Sequence, residues 1–191
     1  MLRSGAVDPH RATGGQNTVV HEYAVTVIGN DRPGAIADTT GILADLGLNL
    51  TDSTMTRLRG HFAMTLICAG ESDVTSIEAA LEQLTVDGSL VASVRLVEPD
   101  RGAADDGAHH VLTVHGADRL GIVAALTRVV ADAGGNVTDL TTRLVGALYV
   151  LVAEVDLPAA VDPDQLRLRL RSVAGRLGVE ATLRAGEADV L

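Results

Sequence analysis

The sequence contains itself twice, and a chain built this way is confined to folds that one half can complete. Gly29-Asn30-Asp31-Arg32-Pro33-Gly34 returns as Gly116-Ala117-Asp118-Arg119-Leu120-Gly121. Each copy follows an apolar run of strand character, Val25 to Ile28 or Val111 to Val114, and precedes a run of helical periodicity. Each is therefore a strand-to-helix turn. A chain of 191 residues allows one domain or two; the repeat selects two of roughly eighty residues each, enough for a separate core in each half.

In the first copy, Val19 to Ile28 reads as a strand with Tyr23, Val25 and Val27 on one face and Ala24, Thr26 and Ile28 on the other. Asp31 is the expected N-cap of the following helix, with Pro33 in its first turn, where a missing amide costs little. Ile36, Thr39, Leu43 and Leu46 keep helical spacing and Gly47 closes the helix. Leu48 to Leu58 alternates, Gly60-His61 breaks the run, and Phe62 to Cys68 completes a hairpin. Ser72 and Asp73 cap a second helix carrying Val74, Ile77, Leu81 and Leu84, Gly88 ends the turn after it, and Val91 to Val97 is the last strand. The order is βαββαβ, the ferredoxin-like arrangement, with the helices on one face of an antiparallel sheet.

The second copy repeats that order. Ile122, Val123, Leu126, Val129, Val130 and Ala133 give a broad helical stripe ending at Gly134-Gly135, and Asn136 to Leu144 and Leu148 to Val155 form the hairpin. Leu166-Arg167-Leu168-Arg169-Leu170-Arg171 alternates like a strand, yet Leu166, Leu170, Val173 and Leu177 fit a helix. Asp162-Pro163 before it and Gly178 after it favour helix. Val179 to Leu183 is the final strand. The chain thus divides into a disordered tail over 1–18, a first domain over 19–98, a polar linker over 99–108, a second domain over 109–185 and a short tail over 186–191; the α+β class follows.

Charge and residue usage exclude several functions. A net charge of −10 argues against direct nucleic-acid binding, which needs a basic face to neutralise phosphates. The single cysteine, Cys68, rules out an intramolecular disulfide, and no apolar run approaches the about 18 residues of a membrane span. Met1 to Asn17 has no continuous apolar region of the signal-peptide kind. A cytoplasmic protein without a membrane partner is expected. His61, His109, His110 and His115 lack metal-site spacing, and no metal or other cofactor is expected. With aromatic residues at 2%, the core must be built from Val, Leu, Ile and Ala.

The two turns, together with Leu48-Asn49-Leu50-Thr51-Asp52, Asn136-Val137-Thr138-Asp139 and the Gly60-His61-Phe62-Ala63-Met64 hairpin, carry a resemblance to the ACT domain, the small regulatory amino-acid-binding module. Within that superfamily the chain resembles the tandem glycine cleavage system transcriptional repressor group and the ACT portion of formyltetrahydrofolate deformylase. The resemblance implies modules that pair side by side, joining their sheets, with an amino acid bound between them. In serine-binding ACT domains the turn reads His-x-Asn-x-Pro-Gly and an Asn opens the second strand. Here the His position is Gly29 or Gly116, the turn Asn is Asp31 or Asp118, and the strand Asn is kept as Asn49 and Asn136.

A free amino acid needs acceptors for its ammonium and donors for its carboxylate. Backbone amides at a helix N-terminus suit the anion, and Gly34 or Gly121 leaves their approach open. Asp31 or Asp118 suits the ammonium, with Asn49 or Asn136 beside it. The candidate ligand residues are Asn30, Asp31, Arg32, Pro33, Gly34, Asn49 and Asp52 in the first copy, and Asp118, Arg119, Gly121, Asn136 and Asp139 in the second. The structural alternative is that Asp31 only caps a helix, Asn49 and Asp52 only fix a strand entry, and Arg32, Arg119, Arg57 and Arg143 only face solvent. Met55 and Met64 read as core or interface filler. The first turn has the fuller pattern, because Leu120 replaces Pro33.

The leading expectation is a non-enzymatic sensor that binds an amino acid and passes this to a partner protein, with a homodimer favoured because module edges stay open. Its rival is an assembly module with vacant sites. An acylphosphatase-like enzyme is the third reading; the sequence shows no phosphate loop with the paired Arg and Asn that chemistry needs.

Overall fold

The computed structural model describes residues 20–98 and 107–186. The expected tail over 1–18, most of the expected linker and residues 187–191 lie outside the described residues. Contacts divide the chain into two compact units, Met1–Arg101 and Gly102–Leu191. The first runs β1 (His21–Asn30), α1 (Ala35–Asp45), β2 (Asn49–Leu58), β3 (His61–Gly70), α2 (Val74–Thr85) and β4 (Leu90–Val97). The second runs β5 (Ala108–Ala117), α3 (Ile122–Ala131), β6 (Asn136–Val145), β7 (Leu148–Leu157), α4 (Pro163–Leu177) and β8 (Val179–Ala185). Each is the expected βαββαβ unit.

The sheets have strand orders β2-β3-β1-β4 and β6-β7-β5-β8, with every pairing antiparallel. Both β1 and β2 run against β3, so they are parallel to each other, and their C-terminal ends fall together: Asn30 and Leu58 both register with His61. The turn after β1 therefore sits beside the β2–β3 hairpin. β2 and β6 are edge strands, and β2 is exposed at nearly every position.

Alternation along the strands builds each core on one sheet face. Tyr23, Val25 and Val27 of β1 are buried with Leu43 of α1 and Ile77, Leu81 and Leu84 of α2. Leu112 and Val114 of β5 are buried with Ile122, Leu126 and Val130 of α3 and Leu166 and Leu170 of α4. The opposite face of β1 is less covered than its apolar sequence implies: Ala24 and Thr26 are half-buried and Ile28 is exposed. Cys68 lies wholly inside the first core, where its thiol donates to the Tyr23 carbonyl at 3.7 Å and burial pushes its pKa up.

Helix ends follow local chemistry, with one correction. Asp73 Oδ1 accepts from the Ser76 amide at 3.0 Å, and Asp162 accepts from the Asp164 amide at 2.9 Å with Pro163 in the first turn. The ambiguous Leu-Arg segment is helix α4, with Leu166 and Leu170 inward and Leu168 outward. Asp31, however, does not cap α1. The N-cap is Gly34, left-handed at φ 88°, and Gly121 does the same for α3 at φ 87°. A glycine suits that conformation because it has no Cβ to clash. Pro33 consequently precedes the helix instead of entering its first turn.

Candidate functional site

The first turn is held by its backbone and then closed by its own charges. Asn30 N–H donates to the Ser89 carbonyl at 2.9 Å and Asp31 N–H to the Gly60 carbonyl at 3.0 Å, which fixes the turn between β4 and the β2–β3 hairpin. Gly29 permits this approach, since a Cβ there would lie 2.0 Å from the Ser89 oxygen. No side chain, histidine included, fits at that position. The Asp31 carboxylate then pairs with Arg57 Nε at 2.8 Å, and Arg32 pairs with Asp38 at 2.8 Å. Arg32 also helps to depress the pKa of Asp87, after the stronger effect of the Ser89 hydrogen bonds. Arg57, which the sequence leaves facing solvent, is thus part of this turn.

The second turn lacks all of these pairs, and strand alternation supplies the reason. Ser53-Thr54-Met55-Thr56 separates Asp52 from Arg57, but only Leu140-Thr141-Thr142 separates Asp139 from Arg143. One residue fewer reverses the face on which the arginine stands. Arg57 lies opposite buried Phe62, on the helix side with the turn; Arg143 lies opposite Val150, on the other side. The repeat also puts Ala125 where Asp38 stands. Asp118 and Arg119 therefore have no ion-pair or hydrogen-bond partner among the described residues, and both are exposed.

Each turn borders a recess of similar size, about 440 Å³ in the first unit and about 460 Å³ in the second. Their walls differ. Phe62 and Met55 line the first; Tyr149 takes the place of Phe62 in the second, with Thr142 in the position of Met55. Burial raises the Tyr149 pKa, a hydrogen bond with the Thr142 side chain opposes the rise, and the Asp118 carboxylate adds to it. The hydroxyl keeps its proton at neutral pH. Helix α3 follows its N-cap Gly121 without a side-chain cap, leaving its first amides open to an anion. An acceptor carboxylate, a cationic guanidinium, free amides and a phenol thus meet at one opening.

The remaining predicted residues do not join these turns within their own unit. Asn49 opens β2 and registers with Ala69, at the opposite end of the strand from Arg57, roughly 26 Å away at the usual strand rise. It lines a different recess, with Leu46, Gly47 and Ser72. Asn136 registers with Asp156 at the same end of β6. The expectation that Asn49 lies beside Asp31 in one unit is corrected: parallel β1 and β2 put the turn at the far end. Asp52 follows the irregularity after Leu50 and accepts from the Ser53 amide at 2.7 Å, while Asp139 follows the matching irregularity after Val137. Met64 is buried in the core, whereas Met55 is half exposed.

Among the described residues no group of His, Cys, Asp and Glu is placed to hold a metal ion, and no helix is long and apolar enough to cross a membrane. His109 Nδ1 lies 2.9 Å from Asp156, and His110 is buried with Nδ1 2.9 Å from the Ala108 carbonyl.

Comparison with known proteins matches the ACT domain family over residues 22–94 and 109–184. The UPF0237 protein of Pyrobaculum aerophilum is 41% identical over 70 residues, 36% of this chain and 78% of that protein. Its counterpart in Methanopyrus kandleri is 37% identical over 75 residues, covering 39% and 83%. Among solved structures, a protein from Galdieria sulphuraria described as unknown matches with a TM-score of 0.77 at 27% identity, covering 88% of this chain and 100% of that one. A putative glycine cleavage system transcriptional repressor shares the fold, with a TM-score of 0.69 at 19% identity over 89% and 99%.

Proposed function

Because this chain belongs to the ACT domain family, we propose that it is a regulatory protein without catalysis of its own, which binds a free amino acid at the turn of its second unit. The observation that carries the reading is the adjacent pair Asp118 and Arg119, opposite in charge and unpartnered among the described residues. Asp118 accepts from the ligand ammonium, Arg119 and the first amides of α3 take its carboxylate, and the Tyr149 hydroxyl reads the side chain. The first turn, which looks the fuller in sequence, is the less available, since Asp31 is already paired with Arg57 and Arg32 with Asp38.

The bound state reaches a partner protein only if the ligand favours one arrangement over another, because equal affinity for both shifts nothing. The setting proposed is transcriptional or metabolic regulation through that partner. Direct contact with nucleic acid is not part of it, given a net charge of −10. Asn136, at the far end of β6, does not join this site within its own unit, and the proposal does not require it.

Calorimetric titration against the twenty amino acids tests this. One saturable site is expected, lost in Asp118→Ala and Arg119→Ala and kept in Asp31→Ala. Binding that survives both second-turn substitutions places the ligand elsewhere and refutes the assignment. The second reading, an assembly module with vacant sites, is favoured by the closed first turn; silence across the whole panel, together with self-association of the full chain, would support it.

A further inference from the structure

The two units are copies of one fold, yet their helical layers carry opposite charge. Helices α1 and α2 contain Asp38, Asp45, Glu78 and Glu82 and no basic residue. Helices α3 and α4 contain Arg128, Arg167, Arg169, Arg171 and Arg176, with Asp164 as their one acidic residue. The reversal falls at matching places. Ile77 and Leu81 of α2 fill the buried positions that Leu166 and Leu170 fill in α4, so Glu78 corresponds to Arg167 and Glu82 to Arg171.

Little of this charge is used inside the units. Arg32 takes Asp38, and Asp164 takes Arg167, which also donates to the Leu183 carbonyl at 3.1 Å. Asp45, Glu78, Glu82, Arg128, Arg169 and Arg171 are exposed and have no ion-pair partner among the described residues. Glu78 with Glu82, and Arg167 with Arg171, are like charges four residues apart on a helix, an arrangement that weakens an isolated helix. A solvated face would do better with mixed signs. Neither fold nor solubility asks for a layer of one sign.

We propose that these faces are docking surfaces for each other between two copies of the chain: the acidic α1/α2 face of one copy seats on the basic α3/α4 face of the second, and reciprocally, giving a dimer. Each copy carries one face of each sign, so both contacts of the proposed dimer join unlike charges. The occupant is a second copy and not a polyanion, because a chain of net charge −10 repels polyanions while its own first unit offers an acidic surface on the same scaffold. This inference stands apart from the ligand reading and does not use the turns.

Sedimentation velocity on the full chain at low and high salt tests it. A dimer is expected in 50 mM NaCl, with a dissociation constant at least about ten-fold weaker in 1 M NaCl, where screening acts within about 3 Å. Arg169→Glu with Arg171→Glu, and separately Glu78→Arg with Glu82→Arg, should each give monomers. Mixing the two variants should restore a dimer, since both complementary contacts re-form; that rescue also shows that both are folded. The neutral pair Arg169→Gln and Arg171→Gln should weaken the dimer with unchanged circular dichroism. A wild-type monomer at low salt, a dimer indifferent to salt and to charge reversal, or failure of the mixture of folded variants to associate would each overturn the proposal. So would a monomeric wild type that binds heparin through these arginines.

Discussion

Removing the charges that close the first turn should open a second ligand site. The perturbation is Arg57→Ala combined with Asp38→Ala, which frees Asp31 and leaves Arg32 held only weakly, near Asp87. Its cost is small, because both pairs are wet: side-chain exposure is 67% and 34% for Arg57 and Asp31, and 35% and 47% for Arg32 and Asp38. Exposed pairs contribute roughly 0–1 kcal/mol each, so the loss is about 1 kcal/mol in total. For a domain of this size that lowers the melting temperature by about 4–8 °C. The gain is two charge-assisted contacts to a zwitterion, of about 2 kcal/mol each, which corresponds to a dissociation constant on the order of 1 mM. Calorimetry with the amino acid that the wild type binds best should therefore move from one site to two, the new one being weak. Adding Asp31→Ala should return it to one. If the wild type already titrates at two sites, or the folded double variant still titrates at one, the ion pairs are not what closes the first turn.

Three further outcomes follow from the same geometry. Gly29→Ala forces a Cβ to within 2.0 Å of the Ser89 oxygen and should cost about 3 kcal/mol or more, whereas Gly41→Ala, with open space around it in an exposed helix, should stabilise by roughly 0.5–1 kcal/mol; urea midpoints measure both. Tyr23 is raised above its usual pKa by burial first and by Asp73 next, and Tyr149 is raised likewise. Their contribution is full below the unfolded tyrosine pKa of about 10 and is lost as pH rises through the folded values, so stability should fall at alkaline pH and Tyr23→Phe should flatten that fall. Asp162→Ala removes the N-cap of α4 and should cost about 1 kcal/mol, read from thermal melts at neutral pH.

The repeat and its periodicities were enough to read the fold, because strand alternation and helix spacing are local patterns that one core per copy must satisfy. Asp73 and Asp162 were legible as caps for the same reason: each acts on an amide two or three residues away. Asp31 was not, since a left-handed glycine had taken its place, although a glycine at the same point of both turns was a visible signal. The Arg57 pair depends on strand parity, which only a comparison of spacing within the two copies reveals. The separation of Asn49 from Asp31 was implicit in the fold itself, as parallel β1 and β2 must carry their starts away from that turn. What escaped entirely was the replacement of Phe62 by Tyr149, a difference of one oxygen atom that puts a hydroxyl in the wall of the second recess.

Cys68 is the sole thiol of the chain and is sealed in the core of the first unit alone. An alkylating reagent can reach it only when that unit opens, and the raised pKa keeps it unreactive until then. Labelling kinetics would therefore clock the opening of one half of a duplicated protein while the other half stays silent, with no engineered probe. Comparing that clock with the global melt would tell whether the two halves unfold together or as separate bodies.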